Sequence, residues 1–118
     1  MKHWLTVGAI LGGISVLLGA FGAHALKEIL VPERLVTYET AVRYQFYHAL
    51  ALLAVGGFSA DNVWAGRAGA LFTLGIVLFA GSLYLLCATG LTIVGAVTPF
   101  GGLSFMAGWV CLALASRQ

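Results

Sequence analysis

The stretch "ETAVRYQFYHALALL", residues 39–53, opens with charge and closes as an unbroken apolar run. Its second half suits a helix inside a bilayer. Its first half places Glu39, Arg43, Gln45 and His48 among three aromatic side chains. The surroundings that tolerate both halves decide the fold. Of the 118 residues, 61% are hydrophobic and 8% charged, against roughly a quarter charged in soluble domains. That is the composition of a membrane protein. The formal net charge is +2 and the Lys and Arg residues are scattered, so no basic stripe exists to neutralise phosphates and nucleic acid is excluded as a partner.

Outward from this stretch, four apolar runs can be drawn, residues 4–26, 40–58, 64–87 and 96–115. Each is close to the roughly 20 residues that cross a hydrocarbon core of about 30 Å. Backbone groups in lipid must be satisfied within the segment, so the runs are predicted to be helices. The connections are short, which makes consecutive helices antiparallel neighbours. The expected fold is therefore all-α: an integral membrane four-helix bundle with up-down connections, in one transmembrane domain. The longest polar connection is "KEILVPERLVTYE", residues 27–39, where Pro32 predicts the start of a short interfacial helix. Ser59 or Asp61 is expected to cap the third helix, and Thr98 with Pro99 to begin the fourth. The cysteines, Cys87 and Cys111, lie near the ends of the third and fourth runs. In antiparallel helices that places them toward opposite faces, too far apart for a disulfide.

"MKHW", an apolar stretch and Ala23-His24-Ala25 imitate a secretory signal, but the stretch is longer than the roughly 7–15 residues of a signal's core. A retained first transmembrane helix is expected. With four spans, Lys2, Arg67 and Arg117 share one side, while Lys27, Arg34 and the membrane-edge Arg43 belong to the other. This even balance leans only slightly toward cytoplasmic termini and leaves dual orientation open.

Helical spacing then predicts packing. Gly8, Gly12, Ser15, Gly19 and Gly22 line one stripe of the first helix, where another backbone can approach closely. Ala9, Gly13, Ala20 and His24 form a second smooth face, as expected of a central helix or one that meets a neighbouring subunit. The last span has its own stripe in Gly101, Ser104, Gly108, Cys111 and Ala115. On the second helix, Thr40, Arg43, Tyr44, Tyr47, His48 and Ala51 fall within about 140°, with Val42, Phe46, Ala49 and Leu53 opposite. The polar face is predicted to meet protein and the apolar face lipid. A charge near the membrane centre costs about 2.5–3.5 kcal/mol even on lenient scales, so Arg43 is expected to snorkel to the interface or to meet an anion inside: Glu39 at i, i+4, with Glu28 and Glu33 as alternatives. His24, Glu39, Arg43, Tyr44, Gln45, Tyr47 and His48 form the candidate polar cluster, either a buried lock between the first two helices or a ligand site, against the alternative of ordinary interfacial anchoring by the Tyr residues with a snorkelling Arg43. His24 and His48 are offset by roughly 10 Å along the membrane normal, by helical rise, which makes their joint ligation of one haem awkward.

The motifs "GAFGAHALK" at 19–27 and "YETAVRYQFYHALALL" at 38–53 resemble a family of small multi-pass membrane proteins of unknown function, typified by the bacterial YgdD and YwdK proteins and with eukaryotic members. The resemblance extends over essentially the whole chain. Gly19, Phe21, Gly22, His24 and Leu26 carry it in the first helix, and Tyr38, Thr40, Ala41, Tyr44, Gln45, Tyr47, His48 and Leu50 in and before the second. It implies a four-helix protein of the bacterial inner membrane and assigns no catalytic residue or ligand.

Chemistry-bearing motifs are otherwise absent. The glycines lie inside apolar helices rather than in a phosphate loop, no His or Cys pair has zinc-site spacing, and no Ser occupies a nucleophile elbow. No enzyme activity, cofactor or metal is expected. The first functional reading is a scaffold or assembly protein whose partners are membrane lipids, copies of itself or a larger membrane complex. The second is a solute or ion transport element working as an oligomer, and the third a haem- or quinone-binding protein. Helices three and four lack deep charges; only Thr73, Ser82, Tyr84 and Ser104 could continue a polar path past His48. That weighs against transport by a single chain.

Overall fold

The computed structural model describes residues 1–118 and contains helices without strands. Helix α1 spans Lys2–Ile29 and α3 spans Val63–Thr89; each contains a π-helical turn, Gly22–Leu26 in α1 and Ile76–Ala80 in α3. Helix α2 spans Pro32–Val55 and α4 spans Thr98–Ala115, the latter preceded by a 3-10 turn at Thr92–Ala96. The four helices run up and down, as their short connections require. Helices α1 and α3 and the stretch Thr92–Ala115 are long and apolar enough to cross a membrane. Helix α2 is long enough, but its first half carries Glu33, Arg34, Glu39 and Arg43.

The termini of the elements correct several expectations. Helix α2 begins at Pro32, not residue 40, and the "PER" segment is its first turn rather than a separate interfacial helix. Pro fits there because its missing N–H would have no intrahelical partner, and Glu33 complements the positive end of the helix. Helix α3 is capped by Asn62 rather than Ser59 or Asp61: its Oδ1 accepts from Ala65 N at 3.1 Å. Ser59 Oγ donates instead to Asp61 Oδ1 at 2.6 Å, which holds that exposed carboxyl below the usual aspartate range. Val97 precedes α4, so Thr98 already lies in its first turn and shares a hydrogen bond with the Ser82 hydroxyl of α3. Gly90 ends α3 at φ 75°, the left-handed conformation that suits glycine, and a Cβ there would also meet the Arg34 guanidinium.

Packing follows the chain order, α1 on α2, α2 on α3 and α3 on α4. The molecule measures 48 × 26 × 16 Å. The inner positions belong to α2 and α3, and α1 lies at the edge. A Cβ on Gly8 would lie 2.8 Å from Ala49 O and 2.9 Å from Leu52 Cβ; a Cβ on Gly22 would enter the Tyr38 ring; Gly12 and Gly19 look toward Phe46, Ala49 and Val42 with more room. Ser15 is buried in the same stripe. The second smooth face of α1, with Ala9, Gly13, Ala20 and His24, is exposed. In α4, Gly101, Ser104, Gly108, Cys111 and Ala115 are all buried. Gly101 lies against Phe79 and Gly108 against Phe72 of α3, while Ser104 Oγ donates to Leu71 O at 2.7 Å. The core gathers Leu52 and Val55 of α2 with Ala65, Ala68 and Phe72 of α3 and Phe105, Cys111 and Ala115 of α4. Both cysteines are free.

One end of the bundle holds Met1 beside Gly66 and Asn62 Nδ2 donating to Ala115 O at 3.1 Å. The N-terminus, the α2–α3 loop and the C-terminal end of α4 therefore share a side, and the turns at residues 30–31 and 90–91 lie at the other.

Candidate functional site

The polar residues of α2 separate into an inward and an outward set, and the boundary differs from the predicted one. Ala49, placed by the wheel on the lipid face, is fully buried because Gly8 and Gly12 of α1 leave space for it. Arg43 and Tyr47, placed on the protein face, are exposed. The buried stripe is Tyr38, Ala41, Gln45, His48, Leu52 and Val55, at the i, i+3, i+4 spacing of one helical face. The wheel grouped polar side chains together, whereas packing selected those that could find partners inside.

His48 is 4% exposed. Its Nδ1 lies 2.7 Å from Tyr44 O, one turn back, and its Nε2 lies 3.1 Å from the indole Nε1 of Trp109 in α4. An indole N–H can only donate, so Nε2 must accept, and a carbonyl can only accept, so Nδ1 carries the proton. The imidazole is thus held neutral in one tautomer. Its face stacks on Phe105 at 3.5 Å between centroids with 7° between planes, and its edge meets Phe72.

Gln45 forms the second inward node. Its Nε2 donates to Leu11 O in α1 at 3.1 Å, and its Oε1 accepts from Tyr84 OH in α3 at 2.6 Å. Ser15 Oγ also donates to Leu11 O. Tyr38 OH donates to Leu18 O in α1, and its ring lies 5.8 Å from that of Tyr84. One side chain therefore joins three helices, and a Tyr pair closes the junction toward the α1–α2 turn. Every buried side-chain nitrogen and oxygen has a partner, as low-dielectric surroundings demand.

Between α2 and α4 lies a groove of about 780 Å³, floored by Phe79 of α3 and walled by Tyr44, Tyr47, Leu103, Met106 and Trp109. Phe79 sits in the π-helical turn of α3, 4.8 Å from Tyr44 and 5.5 Å from Phe105 between ring centroids. His48 forms the inner end, its polar atoms already occupied. The groove thus offers aromatic and aliphatic surface with very little polarity.

Of the seven residues proposed as one buried cluster, the structure buries Gln45 and His48 alone and places the exposed Tyr44 and Tyr47 along the groove. It leaves His24, Glu39 and Arg43 outside. Arg43 reaches Thr40 Oγ1 at 3.5 Å rather than Glu39. His24 lies in the π-helical turn of α1 on an exposed face, and His48 is enclosed by α3 and α4. The two histidines do not converge, and no group of three or more His, Cys, Asp and Glu residues gathers into a metal-binding set. Sequence reasoning missed Trp109 as the partner of His48 and Tyr84 as the partner of Gln45. The available signal was a lone hydrogen-bonding aromatic within an otherwise apolar span, since buried indoles and phenols need an acceptor.

The family model described as "Protein of unknown function (DUF423)" matches residues 18–102, the region that contains Gln45, His48 and the floor of the groove. Among curated proteins, the chain is 45% identical over 120 residues to UPF0382 membrane protein SH2409 of Staphylococcus haemolyticus, covering 98% of this chain and 96% of that protein. It is 42% identical to UPF0382 membrane protein YwdK of Bacillus subtilis, with 98% and 97% covered. It is 40% identical to UPF0382 inner membrane protein YgdD of Escherichia coli, with 94% and 86% covered. No solved structure matches the chain. With its apolar helices and with relatives named UPF0382 membrane proteins along almost its full length, the chain is a multi-pass protein of the bacterial cell membrane and belongs to the DUF423 family.

Proposed function

We propose that this chain is a non-enzymatic interaction protein of the membrane, a scaffold or assembly element that packs its exposed helix faces against other membrane helices. The observation that carries this reading is the division of polarity in α2. Gln45 and His48 are spent on bonds within the chain, while Glu39, Arg43 and Tyr47 face outward. Polar groups facing lipid are costly unless another protein surface receives them. The α2–α4 groove adds a concave aromatic surface beside this face, wide enough for side chains of a neighbouring helix.

Transport through a single chain has less support, because the inward polar groups pair with one another instead of lining a continuous path. A haem reading would require His48 to surrender its bond from Trp109 and His24 to turn inward.

Site-specific photo-crosslinking in native membranes tests the reading. A photoreactive residue at Tyr47 or Leu103 is expected to give discrete protein adducts, and one at the exposed Val77 of α3 to give lipid adducts alone. Lipid adducts from all three positions would contradict it.

A further inference from the structure

The outward face of α2 has a regular composition. Val36, Thr40, Arg43, Tyr47, Leu50 and Ala54 recur at alternating steps of four and three residues, and all are exposed or half-exposed. That 3.5-residue period is the pattern by which two straight helices keep one seam together while coiling around each other. Other faces of α2 already have neighbours, α1 at Ala49 and α3 through Gln45. The regular seam is left uncovered, flanked by the groove at Tyr44 on one side and by the partly exposed Phe46 on the other.

With α2 as a span, its polar residues lie deeper than the membrane-edge position expected from the sequence. Arg43 borders the same surface depressions as Ser15, Val16 and Gly19 of α1, and residue 15 is the midpoint of the apolar run 4–26. By helical rise, Arg43 lies about 16 Å from the start of α2, close to the middle of a hydrocarbon core of about 30 Å. Glu39 is one turn away on the same exposed face, yet Arg43 spends its hydrogen bond on Thr40. A cation and an anion one turn apart on an uncovered seam form a self-complementary pattern. A second copy supplies the opposite charge to each, as a purely apolar partner could not.

We propose that two copies of the chain pair through the Val36–Ala54 seam of α2, with Arg43 of each copy meeting Glu39 of the other. Tyr47 and Leu50 supply the apolar and aromatic part of the contact, and the adjoining groove remains open beside it. This inference rests on the proposed role as a membrane interaction protein and names its partner as the chain itself.

The test is resonance energy transfer between donor- and acceptor-labelled full-length chains in phosphatidylcholine vesicles, over a range of protein-to-lipid ratios. The native chain is expected to give a dimer. Arg43→Glu places two carboxylates against two and should weaken association by about tenfold or more, and the double exchange Glu39→Arg with Arg43→Glu should restore it to within about threefold. Circular dichroism on the same samples reports whether each variant folds. Independently of charge substitutions, Tyr47→Cys should form a disulfide-linked species of twice the 12.3 kDa chain mass under mild oxidation, and Val77→Cys should not. A native chain that stays monomeric at every ratio, or a dimer indifferent to both the single and double charge variants, would overturn the proposal. Protein crosslinks from Leu103 without any self-association would sink this inference and leave the broader interaction role standing.

Discussion

The indole N–H of Trp109 donates to Nε2 of His48 at 3.1 Å and joins the last helix to the second across an aromatic stack with Phe105. That bond fixes which imidazole nitrogen carries the proton, and it closes the inner end of the groove. It also makes His48 a structural residue of the bundle.

Trp109→Phe keeps most of the aromatic volume but leaves His48 Nε2 without a donor. The expected loss is roughly 1–3 kcal/mol of stability, the cost of an unsatisfied buried acceptor. A lowered melting temperature in detergent would register it. His48→Phe made in the Trp109→Phe background should cost much less than it does alone, because the two side chains share one interaction. Fully additive losses would show that the bond contributes nothing.

The two small-residue faces of α1 contain positions of opposite expected sign. Gly8→Ala places a methyl group 2.8 Å from the Ala49 carbonyl oxygen, where rigid backbone must shift, and should destabilise by about 1–3 kcal/mol. Gly13→Ala meets nothing within 4 Å and should stabilise α1 by up to about 1 kcal/mol through helix propensity. Thermal unfolding of the two variants in one detergent checks the contrast. Equal effects would mean that the helix pair is not as close as Gly8 indicates.

Tyr84→Phe removes the donor to Gln45 Oε1, and Gln45→Leu removes both of that residue's bonds. Within a membrane protein such bonds are worth about 0.6–2 kcal/mol each, so Gln45→Leu should cost more than Tyr84→Phe in steric-trapping or denaturant unfolding. The reverse order would show that α1 and α3 are not joined through Gln45.

Asn62 serves two elements at once, capping α3 through Oδ1 and holding α4 through Nδ2. Asn62→Asp keeps the cap and loses the donor, whereas Asn62→Ala loses both. The Ala variant should therefore be the less stable, by about 0.5–2 kcal/mol attributable to the cap. Equal melting temperatures would remove the capping role.

The architecture was legible in the sequence because hydropathy and helix length act locally, and four apolar runs in a short chain leave few alternatives to an up-down bundle. The boundary of α2 was harder to read. Pro32 looked like a break between segments, yet it is the first residue of a helix whose polar opening turns pack beside α1 and α3. The faces of α2 were legible only in part. Ala49 and Arg43 exchanged the roles that a helical wheel gave them, because a small residue goes where a glycine stripe admits it and a long charged residue goes where nothing crowds it. Hydrogen bonds between helices, such as Trp109 to His48 across 61 positions, depend on which faces meet, and spacing within one helix carries no record of that.

An up-down bundle requires α2 to cross the bilayer despite its charged opening turns, with Arg43 within the membrane. Single cysteines at residues 1, 30, 61 and 118, placed in a background with Cys87→Ala and Cys111→Ala, can be labelled with a membrane-impermeant maleimide in sealed, oriented vesicles. The expected pattern is that 1, 61 and 118 label from one side and 30 from the other. If 30 and 61 label from the same side, α2 does not cross, and the seam, the groove and the interaction role built on them lose their foundation.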